Sequence, residues 1–393
     1  MRILTVGNMY PPHHLGGYEL MWRSWVEHAR TAGHEVAVLT TDHREARVEE
    51  ADAEGAMREL RWYWQDHRFP RMSLGERLAV ERHNQALLER ELGLGCDAVA
   101  WWAMGGMSMS LIERVRRLGL PALGVVVDDW LIYGPKVDGW RRAFARPGLA
   151  AVAERLSGIP TRLELGSAAS WLFVSAATRR RALEAGAGVD GEVVHAGIDP
   201  GLFPAADPHE WGWRLLYLGR IDRRKGIATA VRALVELPEQ ATLEIVGGGD
   251  EEHREELRRL ISELGLERRV SFSSHPREEL ARVYAEADAV VFPVQWEEPF
   301  GLVPLEAMSV GRPVVATGTG GSGEYLRDGE NSLLFEPRDD PAALAAAVRR
   351  LAADPGLRER LRAGGQAAAS ELTEDRFNSA VTAALTGAAA AGP

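Results

Sequence analysis

At 393 residues the chain is longer than one hydrophobic core usually supports, so two domains are expected. It is 46% hydrophobic and 26% charged, ordinary for a soluble globular protein, and its net charge of −11 argues against a general nucleic-acid binder, which needs clustered cations. No apolar run is long enough to span a bilayer, and a lone Cys96 excludes both an intramolecular disulfide framework and a cysteine metal cluster; a cytoplasmic setting is expected.

The opening Met1-Arg-Ile-Leu-Thr-Val-Gly7 is too short for a signal h-region and reads as a first strand. Behind it the chain alternates short β-branched runs with longer helical stretches, the signature of parallel-sheet α/β domains. Ile3–Val6, Glu35–Leu39, Ala98–Trp101, Leu123–Val127 and Trp171–Val174 read as strands, with helices over Tyr18–Ala32, Gly75–Glu91 and Ser110–Leu118. The Trp62-Tyr63-Trp64 run, with Arg58, Arg61, Arg68, Phe69 and Arg71 around it, reads as one face of a strand. Its basic-aromatic character leaves a lipid-linked acceptor open. Twelve Trp suggest binding surfaces as well as core, whereas His13, His14, His28 and His43 lack metal spacing.

Gly197 to Gly212, carrying Pro200, Pro204 and Pro208, is the best linker. A second series of strands follows: Arg214–Leu218, Thr242–Val246, Val270–Ser273, Ala289–Phe292 and Val314–Ala316. Helices over Gly226–Leu234, Glu251–Leu264 and Arg277–Ala285 separate them, and Pro341 to Leu385 is helical. The division expected is an N-terminal domain over 1–196, a C-terminal domain over 197–372, and a final helix, 373–393, packing back on the first domain. In such sheets ligands sit beyond the carboxyl ends of the strands. The glycine-rich turns fall there: Gly7 to Gly17, Gly219, Gly247-Gly-Gly249 and Gly318–Gly323.

Chemistry concentrates in four segments. Glu298-Pro-Phe-Gly-Leu-Val-Pro-Leu-Glu306 places one carboxylate before a helix predicted over Leu302–Ser309 and another on it, around a turn whose N–H groups accept anions. Arg220 and Lys225 stand between a strand and a helix, where two cations can neutralise a diphosphate or form a solvated basic turn. Gly16-Gly17 and Gly247-Gly-Gly-Asp250 bring backbone close to a phosphate or make plain tight turns; neither has the dinucleotide spacing.

In that order these residues resemble the family-four retaining glycosyltransferases of the GT-B fold, over nearly the whole chain. The resemblance rests on Pro11-Pro12 with Gly16-Gly-Tyr-Glu19, Gly33-His-Glu-Val36, Gly219-Arg220 with Lys225-Gly226, and Val246-Gly-Gly-Gly-Asp250. It is strongest over Glu298-Pro-Phe-Gly-Leu through Glu306-Ala-Met and Gly311-Arg-Pro-Val-Val to Gly320-Gly321. It implies two Rossmann-like parallel-sheet domains facing across a cleft. It also implies transfer of a hexosyl-type unit, with retention and without a metal or other cofactor, from a UDP- or GDP-linked sugar to a small-molecule or lipid-linked acceptor. Arg220 and Lys225 would hold the diphosphate. Glu298 would take the sugar hydroxyls, with the Phe300, Gly301 and Leu302 N–H groups near sugar and phosphate. Glu306 would bind the ribose, Gly219, Gly248, Asp250 and the Ser274-His275 loop would lie about the nucleotide, and Gly16 and Gly17 would close over the donor. The family's usual His after the fourth strand is absent; Asp128 is the nearest match, for a sugar hydroxyl or a cationic acceptor group. Asp128-Asp129 leaves a metal open on weak grounds. An epimerase of nucleotide-sugars on the same fold and a non-catalytic nucleotide-binding subunit remain as rivals. The Ala/Arg/Gly richness suggests a high-GC bacterial source, with natural-product or cell-envelope biosynthesis as settings.

Overall fold

The computed structural model of the chain describes residues 1–13, 16–45, 55–64 and 68–391. The chain divides into two compact units, one of Met1–His195 with the residues from Phe377 onward, the other of Ala196–Arg376.

The first unit holds a seven-stranded parallel sheet. Its strands are β1 (Arg2–Val6), β2 (Glu35–Thr41), β3 (Met57–Leu60), β4 (Ala98–Trp101), β5 (Ala122–Val126), β6 (Ser170–Phe173) and β7 (Glu192–Val193), in the order β3-β2-β1-β4-β5-β6-β7. β4 and β5 are buried along their whole length, as strands covered on both faces by helices must be. The second unit holds β8 (Arg214–Leu218), β9 (Thr242–Val246), β10 (Val270–Ser273), β11 (Ala289–Phe292), β12 (Val314–Ala316) and β13 (Leu333–Leu334), ordered β10-β9-β8-β11-β12-β13 and also parallel. In each sheet the chain winds outward from one central strand, then returns to start the other half beside it. The connections after β8 and β11 therefore leave in opposite directions and open a crevice between them.

The tryptophans are mostly core. Trp22, Trp25, Trp101, Trp102 and Trp130 are fully buried, and Trp102 packs on Trp22 and Trp25 with ring centres 6.2 and 5.7 Å away. The expectation of a strand at Trp62–Trp64 is corrected: β3 ends at Leu60, where its pairing with β2 stops at Thr41. Both indoles follow in the turn, edge to face at 4.8 Å and against His43. His14 lies outside the described residues, while His13 is buried with its Nδ1 accepting from the Glu45 amide.

The proline-rich stretch expected as a linker is instead a strap bound to the second unit. Phe203 is fully buried against Tyr284, and Arg312 and Arg362 donate to the Asp207 and Ala206 carbonyls at 2.9 and 2.7 Å. Burying one phenylalanine contributes roughly 1.5–3 kcal/mol to holding the strap down. The C-terminal stretch forms three helices, Pro341–Ala353, Pro355–Glu371 and Glu374–Ala391, the first two separated by Asp354, which caps the second by accepting from Leu357 N. From the last, Asn378 donates to Ser24, and Thr382 accepts from the Trp25 indole, within the first unit.

Candidate functional site

In the second unit the loops after β8 and β11 meet at the switch point of the sheet. β8 runs through Gly219-Arg220 into a short turn, Arg223–Lys225, where Asp222 accepts from the Arg224 amide at 2.9 Å. Gly226 ends that turn in the left-handed region at φ 69°. A Cβ there would stand 2.9 Å from the Pro293 carbonyl carbon and closer still to its oxygen, so only glycine lets the two loops touch. Gln295 N donates to the Arg224 carbonyl at 2.8 Å and stitches them together.

Lys225 and Glu298 face each other across this seam. Lys225 Nζ donates to both Glu298 oxygens, at 2.9 and 2.7 Å, and the Trp296 indole N–H donates to Oε2 at 2.8 Å. Lys225 and Glu298 are 16% and 13% exposed, so the pair is partly shielded from screening. Of the carboxylate's roughly four acceptor sites three are taken, two of them on Oε2, which leaves Oε1 spare capacity for a ligand hydroxyl. Arg224 stacks over the Trp296 ring at 4.4 Å while pairing with Asp222 at 2.7 Å. Arg220 is 47% exposed and touches Asp222 at 3.3 Å. The arginines beside Asp222 hold its carboxyl well below the usual range. A diphosphate arriving at Arg220 would compete with one carboxylate, and at Lys225 with another.

Glycines also set the position of Glu298 from below. Gly321 N donates to the Glu298 carbonyl at 2.7 Å, and a Cβ on Gly321 would lie 2.8 Å from the Pro299 carbonyl carbon and 2.9 Å from Phe300 Cα. Gly301 caps the helix Leu302–Val310 at φ 86°, and its carbonyl accepts from the Tyr325 hydroxyl. Phe300 is buried against Tyr325, so its side chain is packing and only its backbone can serve a ligand.

Glu306 lies deep in the second unit. It is 4% exposed, accepts from the Tyr284 hydroxyl at 2.7 Å and faces Arg277 at 3.8 Å. Burial pushes its carboxyl above the usual value. Asp250 caps the helix Glu251–Glu263 by accepting from His253 N and pairs with Arg223 at 3.2 Å. Gly248 is sterically open, its carbonyl accepting from Ile221 N at 2.7 Å, and Gly219 N bonds Val246 O. His275 lies between Glu279 and Glu244, at 3.4 and 3.7 Å, just beyond β10.

Gly16, Gly17 and Asp128 belong to the first unit. Gly16 caps the helix Gly17–Thr31, its N–H donating to Glu19 Oε2 at 3.1 Å. Asp128 follows β5 and accepts from Trp130 N at 3.0 Å and the Tyr133 hydroxyl at 3.1 Å. Burial pushes its carboxyl up to about 6, against the two hydrogen bonds that lower it. Neighbouring Asp129 turns instead to Arg181, 2.9 Å away. The two carboxylates thus have separate partners, and no group of three metal-binding side chains occurs among the described residues. Sequence reasoning missed Trp296, Tyr284, Arg277 and Tyr133, which orient the expected carboxylates. Only Trp296, an indole two residues before Glu298, carried a local signal.

Two parallel-sheet α/β units with charged loops at the switch point of the second define a GT-B-type protein, a fold shared with solved glycosyltransferases. The family profile described as Glycosyl transferases group 1 matches residues 206–368. The glycogen synthase of Mycobacterium tuberculosis (strain H37Rv) is 30% identical over 95% of this chain and 91% of its own. The chain belongs to the group 1 glycosyltransferase family. A D-inositol 3-phosphate glycosyltransferase of Nocardioides sp. is 38% identical, but over only 44% of this chain and 43% of the relative's length. Anabaena HepE, solved in complex with UDP and glucose, superposes with a TM-score of 0.72 at 20% identity over 98% of this chain and 99% of that one.

Proposed function

We propose that the chain transfers a hexosyl unit from a nucleotide-sugar to a small-molecule or lipid-linked acceptor with retention of anomeric configuration, and needs no metal. The Lys225–Glu298–Trp296 network at the sheet's switch point carries this reading. Arg220 and Lys225 meet the charge that develops on the departing diphosphate, and the turn at Gly301 directs helix N-terminal amides toward the same region. Glu298 reads sugar hydroxyls; with both oxygens held by Lys225 it is poorly set to attack an anomeric carbon, which disfavours double displacement. The leaving phosphate oxygen then takes the acceptor proton as the acceptor attacks from the same face. Asp128 in the first unit orients an acceptor or sugar hydroxyl. A UDP-sugar is the first donor to test, since the solved relative binds UDP and glucose, with GDP-sugars next.

The test is incubation with UDP- and GDP-sugars and candidate acceptors in the presence of EDTA, followed by NMR of the product anomer. An α-linked product from an α-linked donor is expected. An inverted product, dependence on added metal, or an epimerised donor formed without acceptor would each overturn the corresponding part.

A further inference from the structure

The helix Pro147–Ser157 of the first unit faces the wrong way for a core helix. It turns small residues inward: Ala150 and Ala153 are buried, and the Ala150 carbonyl accepts from the Thr161 hydroxyl at 3.1 Å. Its large aliphatics point out, Leu149 at 52%, Val152 at 56% and Leu156 at 80% exposure. Their spacing of three and four residues puts them in one stripe along a helix about 16 Å long.

The surrounding charge is one-sided. Residues 136–162 contain Lys136, Arg141, Arg142, Arg146, Arg155 and Arg162 against two acids. Of those acids Asp138 is fully buried, and Glu154 is engaged by Arg117 at 2.6 Å and by Thr161. Lys136, Arg142, Arg146, Arg155 and Arg162 are exposed and form no ion pair among the described residues. In a chain of net charge −11 this is a local reversal of sign.

We infer that this helix docks the protein on an anionic phospholipid surface, lying in the interface plane with Leu149, Val152 and Leu156 among the acyl chains and the arginines at the headgroups. Apolar residues on one face with flanking cations are the two signals that such surface binding combines. Self-association through the same stripe fits less well, because a two-fold contact would set these arginines against their own copies. No helix among the described residues is long and apolar enough to cross a membrane, so attachment here is to the surface.

The test is co-sedimentation with phosphatidylcholine vesicles, with and without phosphatidylglycerol, at fixed salt. It reads binding alone and stands whether or not the proposed transfer reaction is correct. Partition is expected on the anionic vesicles and at least tenfold less on pure phosphatidylcholine. The variant R142Q/R146Q/R155Q should lose roughly fivefold per cation on anionic vesicles. L149S/L156S should lose at least tenfold with an unchanged melting temperature, since both positions are exposed. Absence of partition on anionic vesicles, undiminished partition of either variant, or a wild-type dimer that L149S/L156S abolishes would overturn the inference.

Discussion

Replacing Gly321 with alanine perturbs Glu298 without touching any charge. The added Cβ would lie 2.8 and 2.9 Å from the Pro299 carbonyl carbon and Phe300 Cα, both backbone atoms with no rotamer to yield. Gly321 lies outside the left-handed region, so the penalty is steric, and overpacking of this kind costs about 1–3 kcal/mol. In a unit the size of Ala196–Arg376 that corresponds to a melting temperature lowered by roughly 2–12 °C. The shift also moves the peptide carrying the Glu298 carbonyl, which accepts from Gly321 N, so donor affinity should fall together with stability. Gly248→Ala is the control for stability in the ligand-free protein: no other protein atom lies within 4 Å of its added Cβ. Differential scanning calorimetry with and without a nucleotide-sugar reads both quantities. A Gly321→Ala protein melting within 1 °C of the parent, or a Gly248→Ala protein losing as much, would refute the view that glycine contacts position Glu298.

Four further outcomes follow from the site. Arg220→Ala should weaken nucleoside diphosphate binding by calorimetry, whereas Glu298→Ala should abolish transfer yet keep or tighten that affinity, because Lys225 loses its competing carboxylate. Asp128 has its carboxyl raised from 3.8 to about 6, so the folded state holds that proton more tightly than the unfolded one. Its contribution therefore favours folding below about pH 4 and is lost as pH rises to about 6; in urea unfolding Asp128→Asn should remove that decline, and an identical pH slope would contradict it. Tyr284→Phe removes the 2.7 Å donor to buried Glu306 and should cost about 1–3 kcal/mol in urea unfolding.

The sheet strands were legible because long β-branched runs buried on both faces leave a continuous apolar signal, as in Ala289–Phe292. The two-residue edge strands β7 and β13 carry no such run. Helix Trp130–Val137 contains Pro135, which masks it from a propensity reading. Trp62 and Trp64 alternate like strand residues, but alternation cannot say where pairing with β2 stops. At the candidate site, Glu298 and Lys225 were visible as local patterns of charge beside glycine turns. Their mutual hydrogen bond was not, nor were the partnerships of Glu306 with Tyr284 and Asp128 with Tyr133, since each depends on packing rather than spacing. Buried Glu306 also shows that a regular sequence interval does not set exposure.

The Lys225–Glu298 pair joins positions 73 residues apart. At a synthesis rate of about 5–20 residues per second the basic turn is made roughly 4–15 s before its carboxylate. Through that interval β8 lacks its central neighbour β11, and the cations have no geometry in which to hold a ligand together with Glu298. A donor that needs both groups, as proposed, cannot template the early chain; it can only select sheets in which β8 and β11 already lie side by side.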